Sequence, residues 1–109
     1  MYSSETQLKQ QTLLLNDLYI DTVGHQVKLG QTEIDLTVKE FDLLCLFVRK
    51  KGMVVRHSEL LRTLSVSDQI GGDGIIRVHI CRLRKKIEAE PHRPKRLVSV
   101  RSIGYRLKG

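Results

Sequence analysis

"IIRVHICRLRKKI", residues 75–87, mixes branched apolar side chains with five basic ones. Four apolar residues recur in it at steps of four, three and four positions: Ile76, Ile80, Leu83 and Ile87. Residues at these steps share one side of an α-helix. The spacing therefore predicts a helix over about residues 74–88 with one side packed into a core, and Pro91 and Pro94 prevent it from continuing.

A second face of this helix lies about a third of a turn from the apolar stripe. It consists of Ile75, Val78, His79, Arg82 and Lys86. A helix fits the major groove of B-DNA, about 12 Å wide, where arginine can pair with guanine and valine or isoleucine can cover a thymine methyl. Flanking cations such as Arg77 and Arg84 would contact phosphates. The pattern favours a helix that reads duplex DNA.

Each residue of this second face also has a simpler interpretation. Ile75 and Val78 would serve equally well as packing against the C-terminal strands. Arg82 would be an ordinary solvated cation, and His79 an ordinary surface or core histidine. The helical pattern alone leaves both interpretations open.

The positive charge is concentrated in the last third of the sequence. The chain has a net charge of +7, but residues 1–73 hold 8 Lys/Arg against 10 Asp/Glu, whereas residues 74–109 hold 11 against 2. Such an asymmetry favours a polyanionic partner. The alternative is a basic face that only keeps the protein in solution.

The two cysteines, Cys45 and Cys81, lie far apart in apolar-periodic segments, and no CxxC pair occurs. We expect two buried thiols in a reducing cytoplasm rather than a disulfide, and we expect neither a metal site nor a cofactor. No run of 18 apolar residues is present, so no membrane span is predicted. The polar residues 1–11 are interpreted as a disordered tail or the remnant of a linker, and residues 12–109 as one domain.

The first half of the domain predicts a small sheet followed by a core helix. Four short apolar or alternating runs in residues 12–36 are separated by turn residues, which indicates up to four antiparallel strands. Thr37 and Glu40 then have the spacing of a capping box at a helix start. Gly52 can end this helix.

The second half predicts two helices and a hairpin. "MVVRHSELLRTLS", residues 53–65, is interpreted as a linker and a short helix with Ser58 as its N-cap. "VSDQIGGDG", residues 66–74, has three glycines in four positions and predicts a flexible loop. After the basic helix, "RLVSV" and "YRLKG" predict two strands of a hairpin, with Arg101 before its turn and Arg106 after it.

Four segments together resemble the DNA-binding domain of OmpR/PhoB-type response regulators: "LTVKEFDLLCLF", "VVRHSELL", "VHICRLRKKI" and "VSVRSIGYRL". The resemblance runs from about residue 12 to residue 107. It implies an α+β fold, a winged helix-turn-helix with an N-terminal four-stranded antiparallel sheet, three helices and a C-terminal β-hairpin wing. It also implies a cytoplasmic transcription regulator that binds direct DNA repeats as a head-to-tail dimer.

The resemblance assigns roles to individual positions. Ile75, Val78 and Arg82 fall where the family reads bases, His79 and Arg84 where it contacts phosphates, and Arg101 where the wing reaches the minor groove. Residues 65–74 correspond to a loop that some members use to touch RNA polymerase. An N-terminal receiver domain normally precedes such a domain, so we expect an isolated effector domain, with a stand-alone regulator as the alternative.

This sequence departs from the family pattern at several positions. Ser102 stands where the wing often has glycine, and Arg56 where a serine usually caps the second helix. Gly74, Ile75 and Ser65 replace a frequent arginine, a small hydroxyl residue and a tryptophan. These departures bear on the target sequence and the affinity rather than on the fold.

Three other classes of function are weaker. An RNA-binding protein would need a base-stacking platform, and the five aromatic residues form no cluster in the sequence. An enzyme would need a nucleophile–base pair, metal-ligand spacing or a phosphate loop with lysine, and none is recognisable, so no enzymatic activity is expected. A pure protein-interaction module would show no duplex binding at low salt.

Overall fold

The computed structural model of the protein describes residues 12–64 and 72–108. The predicted tail at residues 1–11 and most of the predicted polymerase-contacting loop at 65–74 lie outside these ranges. The side chain of Asp73 is likewise outside the description.

The N-terminal sheet is four-stranded and antiparallel, as predicted, with its strands in sequence order. Its strands are β1 (Thr12–Leu15), β2 (Leu18–Asp21), β3 (Gln26–Leu29) and β4 (Thr32–Ile34). Leu13, Ile20, Val27 and Ile34 face one another across the four strands. Because side chains alternate between faces, this line defines the side that packs on the helices.

Helix α1 (Val38–Arg49) begins with the predicted capping box. The amide of Glu40 donates to Thr37 Oγ1 at 3.2 Å, and the amide of Thr37 donates to Glu40 Oε1 at 3.0 Å. The two bonds satisfy amides that a helix start leaves without partners. Gly52, just beyond the helix, has a left-handed φ of 84°.

Between α1 and the next helix lies a strand that the sequence analysis missed. Strand β5 (Val55–Arg56) leads directly into α2 (His57–Thr63). The predicted N-cap, Ser58, is therefore wrong: the N-cap is Arg56, and its side chain makes no capping bond. The amide of His57 instead donates to the carbonyl of Ile103 in the C-terminal hairpin at 3.3 Å, so a backbone carbonyl satisfies one of the amides at the start of this helix.

Helix α3 spans Gly72–Ile87 and starts earlier than predicted. Gly72, which was predicted to belong to a flexible loop, is helical. A side chain at Gly72 would place a Cβ 3.1 Å from Leu61 Cδ2, so the glycine permits close packing of α3 on α2. Tertiary packing here overrides the low helix propensity of glycine.

The predicted C-terminal hairpin is confirmed as β6 (Leu97–Val100) and β7 (Gly104–Leu107). Strand β5 adds to it, which gives a three-stranded sheet in the order β5-β7-β6, called the wing sheet below. Gly104 lies against β5 so closely that a Cβ there would be 1.9 Å from the carbonyl oxygen of Val55. Only glycine fits at this position.

The core lies between the two sheets and the three helices. Its buried members come from every element except β1 and β4, and the whole apolar stripe of α3 belongs to it: Ile76, Ile80, Leu83 and Ile87 are at most 1% exposed. The predicted buried side of this helix is confirmed. None of the described helices is both long and apolar enough to span a bilayer.

The two thiols have different environments. Cys45 is buried, as predicted, and burial raises its pKa to about 11, so that this thiol stays protonated at neutral pH. The prediction for Cys81 was wrong, because this residue is exposed on α3. It lies one turn after Arg77 and one turn before Lys85, on a flank that the apolar stripe does not reach.

Candidate nucleic-acid interface

Two residues of the second face of α3 project from the fold. The side chain of Val78 is 46% exposed, and Arg82 is exposed one turn further on. Within the described ranges, Arg82 forms no hydrogen bond or ion pair. The helix therefore presents an apolar surface and an uncommitted guanidinium side by side, the pair of groups that base edges in a major groove can accept.

Ile75 is only partly available. It is half-buried and packs against the core, so part of its side chain serves as packing. Its position early in α3 still leaves some of the side chain at the surface.

His79 is half-buried, and its ring is fixed by a bond within α3. Nδ1 lies 2.9 Å from the carbonyl oxygen of Ile75. Because a carbonyl can only accept, Nδ1 must carry the hydrogen, which leaves Nε2 of the neutral ring as an acceptor. A neutral His79 can then accept from an amino group, and only the protonated ring can donate from Nε2 to a phosphate.

Arg84 is half-buried, and its guanidinium contacts the wing sheet. Its Nε donates to the carbonyl of Leu97 at 2.9 Å and its Nη2 to Ser99 Oγ at 3.3 Å, both on β6. The guanidinium also lies 5.7 Å from the ring centroid of Tyr105 on β7, within the range of a cation–π contact. The predicted phosphate ligand is thus committed to the wing sheet.

Lys86 is also committed. Its Nζ donates to Glu40 Oε1 on α1 at 2.6 Å. Glu40 is only 2% exposed. Burial raises the pKa of this carboxyl, but the bonds and charge of Lys86 and the amide of Thr37 outweigh burial, so that the net pKa lies below the ordinary 4.5. Lys86 therefore balances a buried charge, which its predicted role in DNA binding did not include.

Sequence reasoning missed the importance of Glu88. Its carboxylate accepts from the backbone amides of Lys95, Arg96 and Leu97 at 2.7–3.1 Å. It thereby holds the start of β6 against the end of α3. The sequence shows only that Glu88 and Glu90 are the two acidic residues of a basic segment, which does not disclose that Glu88 has partners seven to nine positions away.

The turn of the wing, residues 101–103, lies between β6 and β7. Arg101 is exposed and, among the described residues, forms no hydrogen bond or ion pair. Ser102 has a left-handed φ of 66°, which explains why glycine is the residue expected here. Ile103 is 42% exposed beside them. The wing thus carries a cation at its tip, as predicted.

Two further exposed cations on α3 extend the basic surface. Arg77 and Lys85 lie on the flank of Cys81. With Arg82 and Arg101, they form a set of exposed cations on α3 and the wing. The arrangement suits a polyanion that has a wide groove for a helix and a narrow groove for a loop.

Comparison with known proteins identifies this arrangement. Residues 31–107 match the family "Transcriptional regulatory protein, C terminal". The sensory transduction protein RegX3 of Mycobacterium tuberculosis is 40% identical over 90 residues, which cover 83% of this chain and 40% of RegX3. The chain therefore spans less than half the length of this relative.

Solved structures share the fold. The DNA-binding domain of Klebsiella pneumoniae RstA, crystallised in complex with the RstA box, has a TM-score of 0.81 and 33% identity over 90% of this chain and 97% of that domain. The Thermotoga maritima OmpR/PhoB homologue DrrB has a TM-score of 0.79 and 32% identity over 91% of this chain and 45% of DrrB. The chain belongs to the family of transcriptional regulatory protein C-terminal domains and is an OmpR/PhoB-type DNA-binding effector domain of a response regulator.

Proposed function

We propose that this domain binds duplex DNA sequence-specifically, with α3 in the major groove and the wing in the minor groove. The observation that carries the proposal is the projection of Val78 and Arg82 from α3, outside the core and without a described polar partner for Arg82. Arg82 pairs with a guanine, while Val78 and the exposed part of Ile75 cover thymine methyls. Arg101 enters the narrow, negative minor groove.

The other predicted ligands have lesser roles. His79 contacts the backbone or a base amino group, depending on its protonation state. Arg84 and Lys86 act mainly through their intramolecular bonds, and the exposed Arg77 and Lys85 supply phosphate contacts in their place. The domain acts by binding rather than by catalysis.

In the full protein, we propose an N-terminal receiver domain that controls this effector domain, and head-to-tail binding of two copies to direct repeats. The crystallised complex of RstA with the RstA box supports the DNA-binding part of this proposal. The length of RegX3, of which the chain matches 40%, supports a receiver domain. A stand-alone regulator is the alternative. Contact with RNA polymerase through residues 65–74 and a cytoplasmic location complete the proposal.

Selection of duplexes from a random pool, followed by titration at several salt concentrations, tests the proposal. We expect an enriched tandem repeat and an affinity that falls steeply with salt. Arg82→Ala should relax the preference at one base pair, whereas Lys28→Ala, a matched loss of charge on β3, should not. Absence of any enriched duplex, or stronger binding to single-stranded RNA, would contradict the proposal.

A further inference from the structure

We propose that Arg84 is a positioning residue that sets the wing sheet relative to α3, so that the major-groove and minor-groove contacts occur at a fixed spacing along the DNA. This inference rests on the proposed function. It assigns Arg84 a role other than that of a phosphate ligand.

The contacts of Arg84 leave little of its guanidinium for DNA. Two of its nitrogens already donate to β6, at 2.9 Å to Leu97 and 3.3 Å to Ser99. The ring of Tyr105 lies 5.7 Å away on the adjacent strand. A planar guanidinium held through two nitrogens and one face has a defined orientation, which a lysine ammonium could not reproduce.

Glu88, one turn after Arg84, completes the attachment. Strand β6 is an edge of the wing sheet, and an edge strand leaves backbone groups without sheet partners. Both backbone groups of Leu97 find partners on α3 or on the residue that follows it: Glu88 Oε2 accepts from its amide at 2.7 Å, and Arg84 Nε donates to its carbonyl at 2.9 Å. Two successive turns of the helix therefore hold one residue of the strand.

The position of Leu97 gives this attachment leverage over the tip of the wing. Arg101 follows four residues later, about 13 Å along an extended strand. A rotation of roughly 15° at Leu97 would move the tip by about 3 Å over that length. One base-pair step is about 3.4 Å. Loss of the attachment would therefore change, or make variable, the base pair beside the major-groove site that Arg101 contacts.

A double-mutant cycle on the selected duplex tests the inference. Arg84→Gln, Arg101→Ala and the double variant are compared with the unmodified protein by titration, after thermal unfolding shows which variants are folded. If Arg84 acts through the wing, its loss should weaken binding no more than Arg101→Ala does. In the Arg101→Ala background, loss of Arg84 should weaken binding by less than about twofold, which is within the usual scatter of such a cycle. Additive losses would overturn the inference.

Arg84→Lys separates position from charge. If Arg84 is a phosphate ligand, the Arg84→Lys protein should keep most of its affinity and its salt dependence. If Arg84 is a positioning residue, this variant should lose the preference for the base sequence flanking the major-groove site, as Arg84→Gln does. Arg84→Lys also replaces Arg84→Gln in the cycle if the glutamine variant unfolds. Glu88→Gln, which keeps a side chain of the same size, should broaden the flank preference in the same way.

The salt dependence gives a second readout. In the Arg101→Ala background, removal of a phosphate ligand should lower the slope of log affinity against log salt by about 0.9, and removal of a positioning residue should leave it unchanged. The outcomes also separate the two proposals. If no duplex is enriched, the proposed function fails, but if a duplex is bound and the two arginines are additive, only the role of Arg84 fails.

Discussion

The basic side chains of α3 fall into two groups that look alike in sequence. Arg77, Arg82 and Lys85 are exposed, with no hydrogen bond or ion pair to another part of the chain that the structure describes. Arg84 and Lys86 are bound to the wing sheet and to Glu40. The difference shows that one cationic helix can both present side chains to a ligand and, through its other basic residues, hold the wing sheet and α1 in place.

The largest effect is expected from separating β5 from the other two strands of the wing sheet. Gly104→Ala would drive a methyl group into the carbonyl of Val55, 1.9 Å away, and separate β5 from β7. We expect a loss of at least about 3 kcal/mol in the free energy of unfolding, measured by urea titration.

The matched control is Gly74→Ala, because nothing lies within 4 Å of a Cβ at this helical position. It should raise the free energy of unfolding by about 0.5–1 kcal/mol, as alanine does in place of glycine in a helix. Equal effects of the two substitutions would show that the close approach at Gly104 is not what limits the wing sheet.

The two groups of cations should separate when stability and DNA binding are measured on the same variants. Arg82→Ala should weaken binding to the selected duplex by about 1–3 kcal/mol while the melting temperature stays nearly constant. Lys86→Ala should instead lower the free energy of unfolding by about 1–3 kcal/mol, because it leaves a buried carboxylate without its cation. A stability loss for Arg82→Ala together with a binding loss for Lys86→Ala would contradict this assignment.

A smaller effect, with a defined pH dependence, is expected at Glu40. Its pKa is lower in the folded protein than the ordinary 4.5, so its contribution is present above about pH 4.5 and is lost as the pH falls through the folded value. Glu40→Gln should cost about 1–2 kcal/mol at pH 7, and the difference from the unmodified protein should shrink below pH 4.5.

Urea titrations of the Glu40→Gln variant between pH 3 and pH 7 measure this difference. Glu90→Gln, at an exposed position after α3, is the control and should change the free energy of unfolding by less than about 0.5 kcal/mol. A deficit that stays constant over the whole pH range would contradict the ion pair with Lys86.

The smallest effect concerns the tip of the wing. Ser102 has a φ of 66°, which costs an L-residue about 1–2 kcal/mol, and glycine avoids most of this cost. Ser102→Gly should raise the free energy of unfolding by about 0.5–1 kcal/mol. The same exchange at Ser58, within α2, should lower it by a similar amount. Thermal unfolding of both variants would show opposite shifts if the turn is strained.

Local patterns predicted much of the fold. The capping box of Thr37 and Glu40, the four strands and the buried stripe of α3 all depend on residues close in sequence, where spacing determines geometry. Strand β5 was missed because two residues carry almost no periodicity. The start of α3 was placed too late because the glycines indicate a loop locally, whereas in the fold Gly72 lies where a Cβ would be only 3.1 Å from Leu61 Cδ2.

The sequence predicted which residues of the candidate site share a face of α3, but not which of them are bound to other parts of the chain. Helical spacing placed Val78 and Arg82 together at the surface, and the structure agrees. The bond of Lys86 to Glu40 joins positions 46 residues apart, and that of Arg84 to Leu97 joins positions 13 apart. Such pairs follow from the three-dimensional arrangement, which no short-range pattern encodes.

The order of strands in the wing sheet has a consequence for how the polypeptide matures. Strand β7 is the central strand, yet Val55 can pair with Tyr105 only after the ribosome has added that residue, fifty positions later in the sequence. Distant pairings of this kind are slow to close. Until then β5 lacks the strand with which it pairs, so a nascent chain that stops short of Gly104 should be a substrate for proteases and chaperones rather than a smaller working domain.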